Sequence, residues 1–314
     1  MKPVSLIRGW ARPLAGAFSL FVIAGLAVAE PLKVRVGYPT ALHGEIAKVL
    51  EKTDILAKHE LTGEFTFFQY GPPQVEALVA ESIDVSFTSL VPTATLLSKQ
   101  PGYVSVVAGL GNSIHGLLVP ADSPIHSLAD FKGRSIAVAV GTDSYIDLLV
   151  ALKAAGLDPK KDVTLQNVPP NEQAAAFEQK LVDGVLTRPP QLEKLQAKNG
   201  AREIQQWPHH LWVIARNDYL KEHPEFAAKF QAALRDAVRY IMAHPSQSAA
   251  WFGEQLRQDP ANVQKVAGLN PLFASPADQV SVEPTATLRT FAANRADELV
   301  EFGVTKQPVV FFGE

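Results

Sequence analysis

Gly141-Thr142-Asp143-Ser144 joins an apolar run, Ser135–Val140, to a segment from Tyr145 to Ala155 in which Ile146, Leu149, Val150 and Leu152 recur at helical spacing. A glycine turn that opens a helix leaves backbone N–H groups free at the positive end of the macrodipole. That combination holds an oxyanion without any basic side chain. The same residues also suit an ordinary N-cap, with Asp143 or Ser144 bonding the first-turn amides. Both readings stay open from these residues alone. Other chemistries are poorly provided for. The chain has no cysteine, which excludes disulfides, thiolate metal sites and cysteine nucleophiles. The histidines are scattered apart from the His209-His210 pair, with no HExxH or comparable metal-ligand spacing. No Ser/His/Asp constellation has motif support, so neither catalytic residues, a metal site nor a cofactor is expected.

The residues around this stretch imply an exported, two-part α/β chain. Lys2, Arg8 and Arg12 precede the apolar stretch Leu14–Leu26, and Ala27-Val28-Ala29 closes it as a small-residue cleavage pattern. The layout predicts a signal peptide over residues 1–29, cut after Ala29, and a periplasmic mature protein. Removing that segment takes away three basic residues and no acidic one, so the formal charge goes from −3 to −6. An acidic chain without a Lys/Arg-rich run argues against a nucleic-acid partner. The remaining 285 residues (314 − 29) exceed one typical core, so two lobes are expected.

The halves share one grammar. Leu32–Gly37, Gly63–Tyr70 and Ile83–Ser89 read as strands with helices between them, and Ser135–Val140, Asp162–Val168 and Val182–Thr187 repeat the pattern. The Pro72-Pro73 and Pro169-Pro170 breaks lie 97 positions apart, and Ile83-Asp84 and Val182-Asp183 lie 99 apart. Two such units predict two α/β lobes with ligand contacts at the strand C-termini. The β-type runs Ser105–Val119 and Trp207–Ala215 carry the chain across, forming a two-segment hinge. The expected division is 30–116 with 212–314 as lobe 1 and 117–211 as lobe 2. Beyond Asn217 the chain reads as amphipathic helices, Ala286–Phe302 among them, whose apolar stripes are core.

In this order the motifs resemble the periplasmic solute-binding proteins of ABC importers, in the sulfonate/taurine/nitrate-type branch. The likeness rests on Gly71-Pro72-Pro73 with Glu76-Ala77-Leu78, Leu118-Val119-Pro120 with Ser123-Pro124-Ile125, Leu128-Ala129-Asp130-Phe131-Lys132-Gly133, Ile136-Ala137-Val138 with Gly141-Thr142, and Val182-Asp183-Gly184. It covers nearly the whole mature chain, although no single motif is specific. The resemblance implies a type II periplasmic binding protein fold, a ligand in the interlobe cleft and no enzymatic activity. The implied contacts are Tyr38, Pro39 and Thr40 after the first strand, Gly71 and Pro72 at a helix start, Thr88 and Ser89, and Gly141, Thr142, Asp143 and Ser144.

The chain departs from that pattern at Thr187-Arg188-Pro189-Pro190, where relatives often carry an aromatic-Asp-Pro. Arg188 there is either a planar fork for a carboxylate or sulfonate, or a cleft-edge charge paired with Asp143, Asp183 or a surface acid. His115, with Tyr70, Tyr145, Trp207 and Trp212, is a candidate wall for an organic group. The implied function is a monomeric receptor that closes on a small anionic organic solute, best an alkyl or aromatic sulfonate or taurine-like compound, and passes it to ABC permease transmembrane subunits. Carboxylate, nitrate and pyrimidine ligands, and a sensor or enzyme on the same fold, are the alternatives.

Overall fold

Short apolar or alternating runs become strands, and the amphipathic segments between them become crossover helices. The computed structural model describes Met1 and residues 30–312. The export segment expected over 1–29 lies outside the described residues, Met1 apart. In the first half β1 (Leu32–Pro39), β2 (Leu61–Phe68) and β3 (Val85–Thr88) are linked through α1 (His43–Lys52), the one-turn α2 (Ile55–Lys58) and α3 (Gly71–Val79). After α4 (Leu90–Lys99), the long strand β4 (Val104–Val119) leads to the second half. There β5 (Ser135–Val138), α5 (Asp143–Ala154), β6 (Thr164–Asn167), α6 (Pro170–Glu178) and β7 (Gly184–Thr187) alternate. Then α7 (Gln191–Asn199) precedes a second long strand, β8 (Arg202–Arg216). The remainder is helical, with α8 (Asn217–Glu222), α9 (Phe226–Ala243), α10 (Pro245–Leu256), α11 (Pro260–Ala267), α12 (Pro271–Ala274), α13 (Ala286–Asn294) and α14 (Ala296–Glu301).

One sheet runs through both halves in the order β2-β1-β3-β8-β4-β7-β5-β6. The outer triplets are parallel and mirror each other in order, with β8 and β4 antiparallel between them. Residues Pro31–Glu314 form one compact unit. The β4–β8 ladder runs from Val104 opposite Arg216 to Val119 opposite Arg202, and its register shifts between Gly109 and Asn112. Up to that shift the β8 residues also pair with β3, and beyond it β4 pairs with β7. The irregularity, with Gly111 at φ +73°, therefore sits where the sheet passes from one triplet to the other.

The 99-residue repeat has a physical cause. Asp84 stands one residue before β3 and accepts the Arg35 N–H of neighbouring β1 at 2.9 Å. Asp183 stands one residue before β7 and accepts the Ser135 N–H of neighbouring β5 at 2.8 Å. Each acid satisfies a donor at the start of a parallel pairing. The core divides accordingly. Val34, Val36, Phe87 and Val213 pack with Ile46 of α1 and Phe230, Leu234 and Val238 of α9, while Leu117, Ile136, Val138 and Leu186 pack with Leu148 and Leu152 of α5. Several features went unread in the sequence. α4 and α7 were not anticipated, because their apolar residues do not stand out as a clean helical stripe. The segment Ala286–Phe302, expected as one helix, is interrupted at Arg295, whose guanidinium pairs with Asp147 at 2.6 Å and Glu298 at 2.8 Å.

Candidate ligand-binding site

The C-terminal ends of the parallel strands from both halves converge, as expected for open α/β sheets. They enclose a cavity of about 30 Å³, lined among others by Pro39 after β1, Thr88 and Ser89 after β3, Ala139 after β5 and Thr187 and Arg188 after β7. A cavity needs roughly 10–15 Å³ to hold one water, so this one takes about two or three. Thr187, Arg188 and Pro170 also line an adjoining outer cavity of about 780 Å³.

Of the residues expected from the sequence, Pro39, Gly71, Thr88, Ser89, His115, Thr142, Asp143, Ser144 and Arg188 line the inner cavity. Thr40 lines the outer one. Tyr38 belongs to the core instead. Its ring meets Phe65 and Phe67, and its hydroxyl donates to Glu51 at 3.2 Å. A strand residue beside Pro39 faces the opposite side of the sheet, and only one of the two can reach the cavity. Pro72 and Gly141 line neither cavity but fix the approach of the halves. Gly141 has φ +79°, and a Cβ there would stand 3.0 Å from the Pro72 ring. At Gly71 a Cβ would meet the Pro92 ring at 2.2 Å, so glycine is required for the entry to α3. Of the candidate wall, only His115 lines the inner cavity. Trp212 is core with its indole N–H donated to Thr93 at 2.9 Å, and Tyr70, Tyr145 and Trp207 do not line the inner cavity.

The lining residues that were missed include His43, Gln74, Gln173 and His209. His43 was hidden because it opens α1 and reads as a helix residue. Gln74 lies in the first turn after Pro72-Pro73, a position where its side chain is free to turn back towards the strand ends. His209 lies within a β run and, without the partner strand, its facing cannot be read.

Asp143 is buried and crosses from the second half to the first. Its carboxylate accepts the Ser89 hydroxyl at 3.0 Å, the Leu90 N–H at 3.3 Å and the Val91 N–H at 2.8 Å. Asp143 therefore caps α4 and not α5. Thr142 opens α5 without a side-chain cap, its hydroxyl donating to the Ala139 carbonyl at 2.6 Å and lying 2.8 Å from the Ser144 hydroxyl. Burial raises the Asp143 pKa, opposed by the Val91 N–H.

Arg188 crosses the other way. Its guanidinium donates to the Thr40 hydroxyl at 2.8 Å and the Gln69 carbonyl at 3.3 Å. Among the described residues it forms no ion pair, and Asp183 is engaged instead with Ser135 and Arg134. Burial pushes Arg188 down to about 10, still cationic at neutral pH, and the nearby Asp143 opposes the shift. His115 is tied by a 2.6 Å contact from Nε2 to Asp147, which in turn meets Arg295.

Neither ring nitrogen of His43 has a hydrogen-bond partner, and Gln74 Nε2 and His209 Nδ1 also lack one. Gln74 Oε1 accepts the Ser86 hydroxyl at 2.9 Å, so its amide nitrogen is the free end. Buried polar atoms without partners are costly unless something supplies the missing bonds. Burial drives His43 down to about 3, helped by Arg188, while the Phe87 backbone opposes the shift without a well-formed hydrogen bond. Burial also lowers His209. At neutral pH His43 and His209 are thus uncharged, beside one guanidinium and one carboxyl.

A pH experiment follows. The ordinary histidine pKa is 6.5 and folding lowers that of His43 to about 3. The unfolded chain therefore binds more protons between those values, and stability falls as pH drops below about 6.5. Urea denaturation at pH 7 and pH 5 should show His43→Gln losing less stability over that interval than the parent. The parent–variant difference isolates His43 from Glu45, whose burial raises its carboxyl to about 7 and acts with the opposite sign. Equal losses in both proteins would mean that His43 is charged or solvated in the folded state.

Comparison with known proteins fits this geometry. The family model described as NMT1/THI5 like matches residues 68–248. The taurine-binding periplasmic protein of Escherichia coli (strain K12) is 29% identical over 253 residues, covering 77% of this chain and 74% of that one. Among solved structures, the periplasmic aliphatic sulphonate binding protein SsuA from Escherichia coli aligns with a TM-score of 0.72 at 24% identity, over 89% of this chain and 90% of that one. The alkanesulfonate-binding protein SsuA from Xanthomonas axonopodis pv. citri, bound to MOPS, aligns with a TM-score of 0.77 at 21% identity, over 90% and 97%. These structures share the periplasmic binding protein fold. With more than half of its length matched by the family model and its fold shared with these binding proteins, the chain belongs to the NMT1/THI5-like family.

Proposed function

We propose that this protein is the solute-binding component of an ABC importer, capturing a small anionic organic solute and delivering it to a membrane permease. The best candidate is an alkyl or aromatic sulfonate or a taurine-like compound, in keeping with what its relatives are named for. One observation carries the reading. Two sets of strand ends from opposite halves enclose a cavity whose buried donors at His43, Gln74 and His209 lack partners, with Arg188 at its edge.

Capture proceeds by parting and closing of the halves. A cavity of about 30 Å³ does not admit an organic solute without opening, and the shift between Gly109 and Asn112 is the place for the sheet to flex. The moving bodies are residues 30–116 with 212–314, and 117–211. A ligand that touches both halves then stabilises the closed form. Binding without catalysis is supported by the commitments of the hydroxyls: Ser89 donates to Asp143 and Thr142 to the Ala139 carbonyl, neither to a histidine base. Export by the 1–29 segment places the mature monomer in the periplasm. Among the described residues no helix is long and apolar enough to cross a membrane.

Thermal denaturation against a panel of sulfonates, carboxylates, nitrate and pyrimidines tests the proposal. A ligand present at about 100 times its Kd should add roughly 2.7 kcal/mol of stability. A melting point unmoved by every member of the panel would remove the receptor reading.

A further inference from the structure

The start of α4 is already occupied by an anion supplied by the protein itself. Three donors from the first half, the Ser89 hydroxyl and the Leu90 and Val91 N–H groups, converge on the Asp143 carboxylate at 3.0, 3.3 and 2.8 Å. The helix they open is ten residues long, so its dipole adds to the attraction. A sulfonate or carboxylate headgroup would present the same pair of acceptor oxygens to the same donors. Asp143 is only 5% exposed, and its occupancy also ties the two halves together across the cavity.

Further donors in the same cavity remain unassigned. His43 is 2% exposed with both ring nitrogens unpartnered, and Gln74 is 1% exposed with its amide nitrogen unpartnered. These groups and Arg188 are left to receive the acceptors of a solute, while the carboxylate at the mouth of α4 repels an ionised oxyanion brought to that end.

We propose that Asp143 is the specificity-determining residue of this cavity, filling the oxyanion position at the start of α4 and thereby excluding an anionic headgroup from those donors. Asp143 directs the charged group of the solute to the Arg188 side. The inference rests on the cavity being the solute site, and it is read from a difference between variants, not from whether the parent binds a given solute.

The probe is methanesulfonate, the smallest alkyl sulfonate, titrated calorimetrically into the parent, Asp143→Ser and Asp143→Asn, with circular-dichroism melts confirming that each is folded. Asp143→Ser vacates the α4 donors and should bind methanesulfonate about tenfold or more tightly than the parent, the worth of hydrogen bonds to a charged group. Asp143→Asn removes the charge but keeps the shape, and should gain about threefold, since its amide still fills part of the position. Adding Ser89→Ala to Asp143→Ser should take back part of the gain, which locates it at α4. Equal or weaker affinity in both variants overturns the proposal, as does a gain that Ser89→Ala leaves untouched. If Asp143→Ser does not fold, Asp143→Asn decides alone, and no gain there overturns it. A parent that ignores the whole solute panel overturns the receptor reading instead, so the two failures are told apart.

Discussion

Asp84→Ala is expected to lower the unfolding free energy by about 3–4 kcal/mol, the range for removing a buried acid and leaving its cation and its backbone donor unpaired. Asp84 is 3% exposed and receives the Arg35 N–H and Nε–H, each at 2.9 Å, and it also pairs with Nη2 of Arg35. Buried Arg216 stands within 4.0 Å of it. Removing the carboxylate leaves the strand N–H of Arg35 without a partner and Arg216 with only the more exposed Asp218 and Glu81. The control is Asp183→Ala, the matching residue of the second half. Its partner Arg134 is 47% exposed at the side chain, so solvent screens that pair and the loss should be about 1–2 kcal/mol. Urea denaturation of the two variants measures the ordering. Equal losses, or a larger one for Asp183→Ala, would sink the argument that burial and not sequence position sets the cost.

Arg188→Ala should weaken binding of the best solute in the panel by about 10- to 100-fold, since hydrogen bonds to charged groups are worth roughly 1.5–3 kcal/mol. The effect on stability should be small, because the variant loses the bonds to Thr40 and Gln69 but is relieved of burying a cation without an ion-pair partner. Arg188→Lys should restore little. An ammonium cannot hold Thr40, Gln69 and a planar headgroup at once as the guanidinium fork can. The measurement is calorimetric titration beside a thermal melt of each variant. Unchanged affinity would return Arg188 to the role of a strut between the halves.

Most of the frame was legible in the residues. Parallel strands buried on both faces must be short and apolar, so Ser135–Val140 and Ile83–Ser89 announced themselves, and so did their repetition. The Pro-Pro breaks and the two aspartates repeat because each half solves the same problem, which is starting a helix after a strand and satisfying the first donors of a parallel pair. The glycine turn at 141 was equally plain, since a positive φ beside the Pro72 ring leaves little else. Local chemistry of this kind is written along the chain, where neighbours in sequence are neighbours in space.

What faces what across the two halves was not. Asp143 read as a ligand contact or as a cap for its own helix, and it caps a helix more than fifty residues earlier. Arg188 read as a fork for a ligand's headgroup or as a partner for an acid, and among its protein contacts it holds a threonine and a carbonyl from the opposite half. His43, Gln74 and His209 carry no motif, and their importance is that three buried side chains from α1, α3 and β8 each keep a nitrogen without a partner around one cavity. The sequence alone determined the strands, the repeat and the turn that opens α5, because those follow from periodicity and backbone sterics. Only the tertiary structure decided which charge fills which donor cluster at the Gly141–Ser144 turn, because desolvation and hydrogen-bond geometry exist only once the two halves meet.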